Sequence, residues 1–304
     1  MAQVLIRRAM VTGAHGLVGR WVVAELLARG VAVAVLRRSE GRVSALALDG
    51  LEARCDVVPG DLADPAALER ALIAHRADTV VHLAAQSRVG EALTHPLGTW
   101  ETNVRGTWNL LEACRRARVS RVVLASSGRA ADPTDPYGAS KACAELVAGV
   151  YTARLGLPVA VGRLPNVYGP GDLDPTRLVP ELVAAAIAGR APRLGAHDAV
   201  REFAYVEDVA AALIALAEVP PPRAPVTIGG ERRTVGELAT LVAALAAAPP
   251  PAPAPAPTPP PAHRIVDSPP PGRSTDDSTQ GVGLREGLRR TLAWARDHPG
   301  AFTA

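Results

Sequence analysis

Lysine is almost absent from this chain of 304 residues, whose 33 basic residues include only one lysine, Lys141. All other basic positions carry arginine, so a need for positive charge alone does not explain why this lysine is kept. An ammonium is compact and changes its pKa readily on burial, whereas a planar guanidinium stays charged. Lys141 is therefore expected to lie where arginine cannot replace it.

Other scarcities exclude whole classes of protein. Cys55, Cys114 and Cys143 are far apart and lack metal-ligand spacing, which indicates neither a disulfide framework nor a metal site. Aromatic residues are only 3% of the chain and the arginines are interleaved with acidic residues, so the net charge of +3 does not indicate nucleic-acid binding. No run approaches the roughly 20 apolar residues of a membrane span, and the first residues lack the apolar segment of a signal peptide. We expect a cytoplasmic protein without membrane contact.

Short apolar runs alternate with helix-length amphipathic segments through the first half of the chain. The runs are predicted strands at 9–12, 31–36, 55–58, 79–83, 122–125 and 158–161, with predicted helices near 17–29, 65–76, 98–118 and 138–155. This alternation predicts an α/β fold, a Rossmann-like doubly wound parallel sheet covered on both faces. Its ligand is expected at the carboxyl ends of the strands.

The regularity falls after residue 165. Further helices are predicted near 178–189, 206–219, 234–247 and 284–298. Between Pro249 and Pro271 lie 12 of the 28 prolines, a composition that fits neither a helix nor a central strand and predicts a loop. We predict a dinucleotide-binding Rossmann domain over residues 1–165 and a smaller mixed substrate-binding lobe over 166–304, interleaved with it rather than independent.

A glycine-rich turn, TGAHGLVG, follows the first predicted strand and opens the first helix. Glycine is needed where the backbone turns tightly and approaches a pyrophosphate, and the helix N-terminus supplies amides and partial positive charge. An ordinary glycine-rich turn is the alternative, but its place between strand and helix favours dinucleotide binding. The binding residues expected in this turn are Gly13, His15, Gly16, Leu17, Val18 and Gly19.

The ends of the next two strands bear on which dinucleotide binds. Arg37 and Arg38 stand near the position where NAD sites usually carry Asp or Glu. Two guanidiniums suit a 2′-phosphate, so NADP is favoured, with NAD or a merely solvated basic turn as alternatives. Asp61, after the third strand, is placed either to contact adenine or to cap the helix that starts near Pro65.

Tyr137 and Lys141 begin a predicted helix, and their spacing of four places both side chains on one face. A phenol must lower its pKa by ~3 units, or ~4 kcal/mol, to exchange protons at neutral pH, and an adjacent ammonium supplies such stabilisation. The alternative is a surface Tyr/Lys pair. Ser126 and Ser127 end the preceding strand, where a hydroxyl either orients a substrate oxygen or caps the strand end.

Six segments in order, TGAHGLVG, HLAAQSRV, TNVRGTWNLLEA, YGASK, RLPNVYGPG and VREFAYVEDVAAA, together resemble the extended short-chain dehydrogenase/reductases, specifically the NAD-dependent epimerase/dehydratase family acting on nucleotide sugars. The resemblance implies Tyr137 as catalytic acid/base, Lys141 as its partner and ribose ligand, and Ser127 as the residue that orients a nucleotide-diphosphate sugar. It implies cofactor contacts at Leu62, Leu83, Ala84, Ala85, Asn103, Ser126 and Leu164, and substrate contacts at Asn166, Arg177 and Arg201.

The chain departs from that family pattern in two ways. Only nine residues, GRAADPTDP, separate Ser127 from Tyr137, where the family carries a longer loop. Dehydratases of the family place an acidic residue directly after the serine or threonine, but here Gly128 and Arg129 follow, leaving Asp132 or Asp135 as substitutes. The resemblance therefore implies an epimerase that removes and returns hydride at a sugar carbon, C4. An NADPH-dependent 4-keto-sugar reductase is the alternative, and a dehydratase or a non-catalytic dinucleotide sensor is less favoured.

The family resemblance also implies a homodimer built from segments 94–117 and 137–155.

Overall fold

The structure is a computed structural model that describes residues 5–38, 44–248 and 281–299, which form two compact units. The first unit comprises the described residues within 1–164 and 209–228, and the second comprises those within 165–208 and 229–304. The proline-rich segment 249–271, predicted as a loop, lies outside the described residues.

The first unit is built on a seven-stranded, all-parallel sheet in the order β3-β2-β1-β4-β5-β6-β9. Its first six strands have the order typical of doubly wound dinucleotide-binding folds, which confirms the predicted fold class. Its central strands are runs of Val, Ala and Leu because both faces of the sheet are buried. The strands are β1 Arg8–Thr12, β2 Ala32–Arg37, β3 Asp56–Pro59, β4 Thr79–His82, β5 Arg121–Ser127, β6 Val159–Leu164 and β9 Val226–Thr227.

Helices cover this sheet close to the predicted positions. They are α1 Leu17–Ala28, α2 Ala45–Leu48, α3 Pro65–His75, α4 Val89–Thr94, α5 Pro96–Trp100, α6 Gly106–Arg116, α7 Pro136–Arg154 and α9 Val206–Glu218, which belongs to this unit from Val209 on. The helix predicted over 98–118 is interrupted by a π-helical turn, Glu101–Arg105. Such turns arise within α-helices frequently at functional sites, and this one contains the buried Asn103.

The second unit contains a three-stranded mixed sheet in the order β10-β8-β7. Strand β7 Asn166–Tyr168 runs parallel to β8 Val200–Tyr205, and β10 Glu231–Thr234 runs antiparallel to β8. Among the described residues of this unit, the helices are α8 Leu178–Ile187, α10 Val235–Ala246 and α11 Leu284–Asp297. Their core includes Tyr168, Phe203, Leu238 and Leu288. The helices follow the predicted periodicity, but the three strands are short and partly polar and were not predicted.

None of the helices within the described ranges is long and apolar enough to cross a membrane.

One cluster of the core of the first unit joins the sheet to helices α3, α6 and α7, and Met10, Leu110, Leu111 and Leu124 are buried in it. This packing fixes the carboxyl ends of β1, β4 and β5, the edge at which the predicted ligand site falls.

Candidate active site

The glycine turn between β1 and α1 is packed too closely to accept a side chain at Gly13 or Gly19. Gly13 has φ +72°, and a Cβ added there would lie 2.6 Å from the amide nitrogen of Ala84. A Cβ at Gly19 would lie 2.1 Å from the carbonyl oxygen of Gly13, so the helix start and the turn touch directly. Helix α1 has no side-chain cap on its first turn, which leaves its first amides available to an anion. These features fit a dinucleotide pyrophosphate.

A series of buried hydrogen bonds starts at this turn. The amide of Ala84 donates to Thr12 Oγ1 (3.3 Å), and Thr12 Oγ1 lies 2.7 Å from Nδ1 of His82 at the end of β4. Nε2 of His82 lies 3.1 Å from Oγ1 of Thr107, and that hydroxyl donates to the carbonyl of Asn103 (2.6 Å). We call Thr12, His82, Thr107 and Asn103 the neutral relay.

The order of donors and acceptors fixes the tautomer of His82. A carbonyl only accepts, so Thr107 donates to Asn103 and must accept from Nε2–H of His82. Nδ1 of His82 then accepts from the Thr12 hydroxyl. Complete burial, followed by the nearby charge of Lys141, lowers the pKa of His82 to about 3, so the imidazole is neutral at physiological pH.

Asn103 connects the relay to helix α7. Its Oδ1 accepts from the amide of Gln86 (2.8 Å), and its Nδ2 donates to the carbonyl of Gln86 (2.9 Å) and to Ser140 Oγ (2.9 Å). Ser140 in turn donates to the carbonyl of Tyr137 (2.7 Å). Asn103 therefore contacts the residue preceding Lys141 and anchors the first turn of α7, the turn that carries the tyrosine.

Lys141 is buried against the end of β5, where its Nζ donates to the carbonyl of Ala125 (3.0 Å). Burial lowers the pKa of Lys141 to about 8, opposed by the carboxylate of Glu145 one turn further along α7. Tyr137 lies half-buried in the first turn of the same helix. The arrangement places a desolvated ammonium and a phenol on one face of α7, four residues apart.

The two serines at the end of β5 differ in their partners. Ser126 is buried and its hydroxyl donates to Glu145 (2.5 Å), whose carboxylate also pairs with Arg163 (2.6 Å). Ser127 is half-buried, and its oxygen accepts from the amide of Arg129 (3.3 Å). The hydrogen bond of Ser127 uses only its acceptor side, so its O–H can donate to a substrate oxygen.

The short loop between Ser127 and Tyr137 is held by its own contacts. Asp135 caps α7 by accepting from the amide of Gly138 (2.8 Å), and its other oxygen pairs with Arg129 (2.8 Å). A Cβ at Gly138 would lie 2.9 Å from the carbonyl of Arg129, so the loop packs directly on the helix start. Asp132 is exposed. Of the two acidic residues considered as substitutes for a dehydratase acid, Asp135 is thus engaged in capping and pairing.

At the end of β2, Arg37 is ion-paired. One oxygen of Glu52 lies 3.3 Å from Nη1 of Arg37 and 2.8 Å from Nε2 of His15 in the glycine turn. Glu52 begins a short 3₁₀ segment, Glu52–Arg54, that precedes β3. We call His15, Arg37 and Glu52 the Glu52 cluster. Sequence reasoning missed Glu52, because nothing in its local pattern indicates that it folds back onto the turn. Arg38 is exposed and makes no ion pair with a described residue.

Asp61 does not cap the helix after β3, so that alternative is wrong. The cap of α3 is Asp64, whose side chain accepts from the amide of Ala67 (2.9 Å), because the chain needs three further residues to turn from β3 into the helix. Asp61 is exposed and accepts from the amide of Ala63 (2.8 Å). Its carboxylate therefore stays available at the end of β3.

The other predicted cofactor residues border the same edge of the sheet. The amide of Leu83 donates to the carbonyl of Thr12 (3.1 Å), which ties the segment Leu83–Ala85 to β1. Leu62 is buried against Gly106, and Leu164 pairs with Ser127 across β5 and β6.

The predicted substrate residues lie in the second unit. Asn166 is exposed and donates to the carbonyl of Glu202 (3.0 Å). Arg177 donates to the buried carboxylate of Asp172 (2.8 Å) and to the carbonyl of Val167 (2.8 Å). Burial raises the pKa of Asp172, and the Arg177 charge opposes this shift. Arg177 is therefore bound within its own unit, whereas Arg201 lies half-buried in β8, opposite Arg233 of β10.

A parallel doubly wound sheet with a glycine turn after β1, and with a Tyr-x-x-x-Lys helix beside a serine at the end of β5, defines a short-chain dehydrogenase/reductase of the extended type. The model of the NAD-dependent epimerase/dehydratase family matches residues 9–229. The chain belongs to this family.

Relatives with known activities include both epimerases and dehydratases. The chain is 33% identical over 174 residues to the trifunctional UDP-glucose 4,6-dehydratase/UDP-4-keto-6-deoxy-D-glucose 3,5-epimerase/UDP-4-keto-L-rhamnose-reductase of Arabidopsis thaliana, a match covering 51% of this chain and 26% of the plant protein. The chain thus spans about a quarter of the length of that relative.

Solved structures resemble the chain over nearly its whole length. The dTDP-glucose 4,6-dehydratase of Streptomyces venezuelae, with NAD bound, has a TM-score of 0.83 at 28% identity and covers 97% of this chain and 98% of its own. The UDP-glucose 4-epimerase of Thermus thermophilus, in complex with NAD, has a TM-score of 0.76 at 32% identity and covers 95% and 99%.

Proposed function

We propose that the chain is an NAD(P)-dependent nucleotide-sugar epimerase that acts at a sugar carbon, C4. The observation that carries the proposal is the placement of Tyr137 and the buried Lys141 on one face of α7, with Lys141 bonded to the end of β5. An NADPH-dependent 4-keto-sugar reductase is the second candidate, because it uses the same acid/base pair in one direction only.

Each of the three catalytic side chains has a defined task. The Lys141 ammonium stabilises the phenolate of Tyr137 and thereby lowers the pKa of that phenol towards neutrality. The phenolate oxygen takes the proton of the substrate hydroxyl, and Ser127 donates to the same substrate oxygen as its charge changes. A bound nicotinamide dinucleotide supplies hydride exchange with the sugar carbon.

The dinucleotide would be held along the carboxyl edge of the sheet. The glycine turn and the first amides of α1 receive the pyrophosphate, and Asp61 and Leu62 lie where adenine is expected. Leu83, Ala84, Ala85, Asn103, Ser126, Leu164, Tyr137 and Lys141 complete the proposed contacts towards the nicotinamide. NADP is proposed over NAD on the charge of Arg37 and Arg38.

The substrate is proposed to be a nucleotide-diphosphate sugar. The UDP- and dTDP-sugar enzymes among the relatives support this class. Arg201 is the proposed diphosphate ligand, since a guanidinium matches phosphate oxygens, and Asn166 is a second proposed contact. Arg177, which pairs with Asp172, is a weaker candidate for the same role.

Dehydration is placed third, although dehydratases are among the relatives. That reaction needs an acid beside the reacting carbons, and the chain has Gly128 and Arg129 after Ser127. The capping and ion-pairing contacts of Asp135 hold this carboxylate at the start of α7. A direct product assay decides among the three reactions.

A homodimer is also proposed. Leu97, Trp108, Leu146 and Val150 are exposed apolar side chains on α5, α6 and α7. A surface of this kind is a candidate for burial against a second copy of the chain. Light scattering after size-exclusion chromatography would measure the mass, and Leu146→Glu should convert a dimer to a monomer.

To test the proposed reaction, the protein is incubated with UDP-glucose or dTDP-glucose and with NAD or NADP. The absorbance of reduced nicotinamide is followed and the products are identified. An epimeric sugar formed without net change in absorbance supports the epimerase, whereas a dehydrated keto sugar formed without net change identifies a dehydratase. A supplied 4-keto sugar that is consumed with loss of NADPH supports the reductase. Tyr137→Phe should reduce either rate at least about 100-fold, with Tyr151→Phe on the same helix as the control. Binding of a dinucleotide without any turnover would instead favour a sensor, and an unchanged rate in Tyr137→Phe would contradict the proposed chemistry.

A further inference from the structure

We propose that Glu52 sets the dinucleotide selectivity of this chain by competing with a 2′-phosphate for Arg37. This inference rests on the proposed dinucleotide binding and deepens it. It assigns a role to a residue that lies outside the motifs of the glycine turn and of the β2 end.

The geometry places one anion between two donors. A single carboxylate oxygen of Glu52 lies 2.8 Å from His15 Nε2 and 3.3 Å from Arg37 Nη1. His15 belongs to the glycine turn, and Arg37 is the last residue of β2, aligned with Pro59 of β3. Glu52 thus already supplies an anion to the guanidinium that is proposed to attract the 2′-phosphate.

The cluster is accessible to a ligand. The side chains of Arg37, His15 and Glu52 are 31%, 26% and 18% exposed. Ion pairs at this depth contribute little to stability, so a phosphate can displace the carboxylate at small cost to the fold. Displacement nevertheless leaves the Glu52 charge near the phosphate, and this repulsion opposes binding of the 2′-phosphorylated ligand.

The two arginines therefore have different tasks. Arg38 is exposed and makes no ion pair with any described residue, so we assign to it the first approach to a 2′-phosphate. Arg37 is held by Glu52. The chain should accept both NAD and NADP with a modest preference, and removal of the Glu52 charge should make that preference strong.

The test compares two ligands that differ only by the 2′-phosphate, 5′-AMP and adenosine 2′,5′-bisphosphate, by isothermal titration calorimetry at low salt. Glu52→Gln should tighten binding of the bisphosphate about five- to tenfold and change that of 5′-AMP less than about twofold. Glu101→Gln, which removes one carboxylate from an exposed ion pair with Arg105, is the matched charge control and should change neither affinity.

A second set of variants identifies the partner through which Glu52 acts. Arg37→Ala should weaken bisphosphate binding little in the native background but abolish the gain in the Glu52→Gln background. Arg38→Ala should weaken it in both. Melting temperatures measured alongside verify that each variant is folded.

The outcomes separate the two proposals. Equal changes for both ligands in Glu52→Gln, or a gain that persists without Arg37, would overturn the selectivity role while leaving dinucleotide binding intact. If the unsubstituted chain binds neither these ligands nor NAD and NADP, the dinucleotide proposal is itself wrong, and this inference fails with it.

Discussion

The neutral relay and the Glu52 cluster touch the same glycine turn from two sides, yet they are built from opposite chemistry. The relay consists of uncharged groups that are almost completely buried, each with a fixed donor or acceptor role. The cluster consists of ionisable groups that remain partly in water. An unpaired polar group is costly where water is absent, whereas an exposed ion pair is cheap to break. The buried side therefore holds the geometry, and the exposed side is free to adjust ligand choice.

The largest expected effect concerns Lys141, whose charge acts on His82 of the relay. Lys141→Met should lower turnover about 10²- to 10⁴-fold, because the Tyr137 phenolate loses its stabilising ammonium. The same substitution should leave the melting temperature unchanged or raise it, because burial already penalises the charged form. Steady-state kinetics and calorimetry measure the two effects, and a fall in both activity and stability would indicate a structural lysine.

Breaking the relay at its centre should cost stability. Thr107→Val keeps the shape of the side chain but leaves Nε2–H of His82 without its acceptor and removes the side-chain bond to the Asn103 carbonyl, with an expected loss of about 1–3 kcal/mol in the free energy of unfolding. Thr99→Val is the control, because the buried Thr99 hydroxyl has no hydrogen-bond partner among the described residues and its removal should be neutral or stabilising. Equal destabilisation by both variants would contradict the assigned roles.

The free energy of unfolding should depend on the protonation of His82 at acid pH. Its pKa is about 3 in the fold against 6.5 for the unperturbed group, so between these values the unfolded chain binds a proton that the folded chain does not. Stability should therefore fall as pH falls below 6.5, by about 2 kcal/mol at pH 5 from this residue. Urea unfolding of the native chain and of His82→Gln measures the difference in slope. Nitrogen NMR of the native imidazole should show the Nε2–H tautomer throughout this range.

The smallest expected effect comes from the exposed side. Glu52→Gln should change the free energy of unfolding by less than about 1 kcal/mol, and added salt should shrink the difference further. Chemical denaturation at low and high salt tests this. A loss comparable to that of Thr107→Val would mean that the Glu52 cluster holds the fold, and the contrast between the two sides would disappear.

The features that the sequence predicts well are those that depend on residues close together in the chain. The apolar runs of β1, β2 and β4 to β6, and the helices α1, α3 and α7, follow from periodicity and capping, and they lie within a few residues of their predicted bounds. The glycine turn and the Tyr137/Lys141 spacing are likewise readable, because each depends on residues a few positions apart.

The rest depends on contacts that no local pattern contains. Thr12 and His82 meet across 70 residues, and Glu52 reaches His15 across 37. The π-helical turn Glu101–Arg105 interrupts a helix whose periodicity is continuous in the sequence, and no local pattern marks its position. Strand β10 was not predicted because it has the sequence ERRT, lies at the edge of its sheet and needs no apolar run.

Because the chain has one lysine, the buried ammonium of Lys141 can be labelled selectively among the side chains. Reagents that modify side-chain amines have a single target in this chain, Lys141. Reductive methylation with ¹³C-formaldehyde would therefore label one side chain, at the centre of the proposed chemistry, besides the terminal α-amino group. The resonance that is missing from Lys141→Met is that of the side chain, and its chemical shift would follow ligand entry and proton loss at that nitrogen.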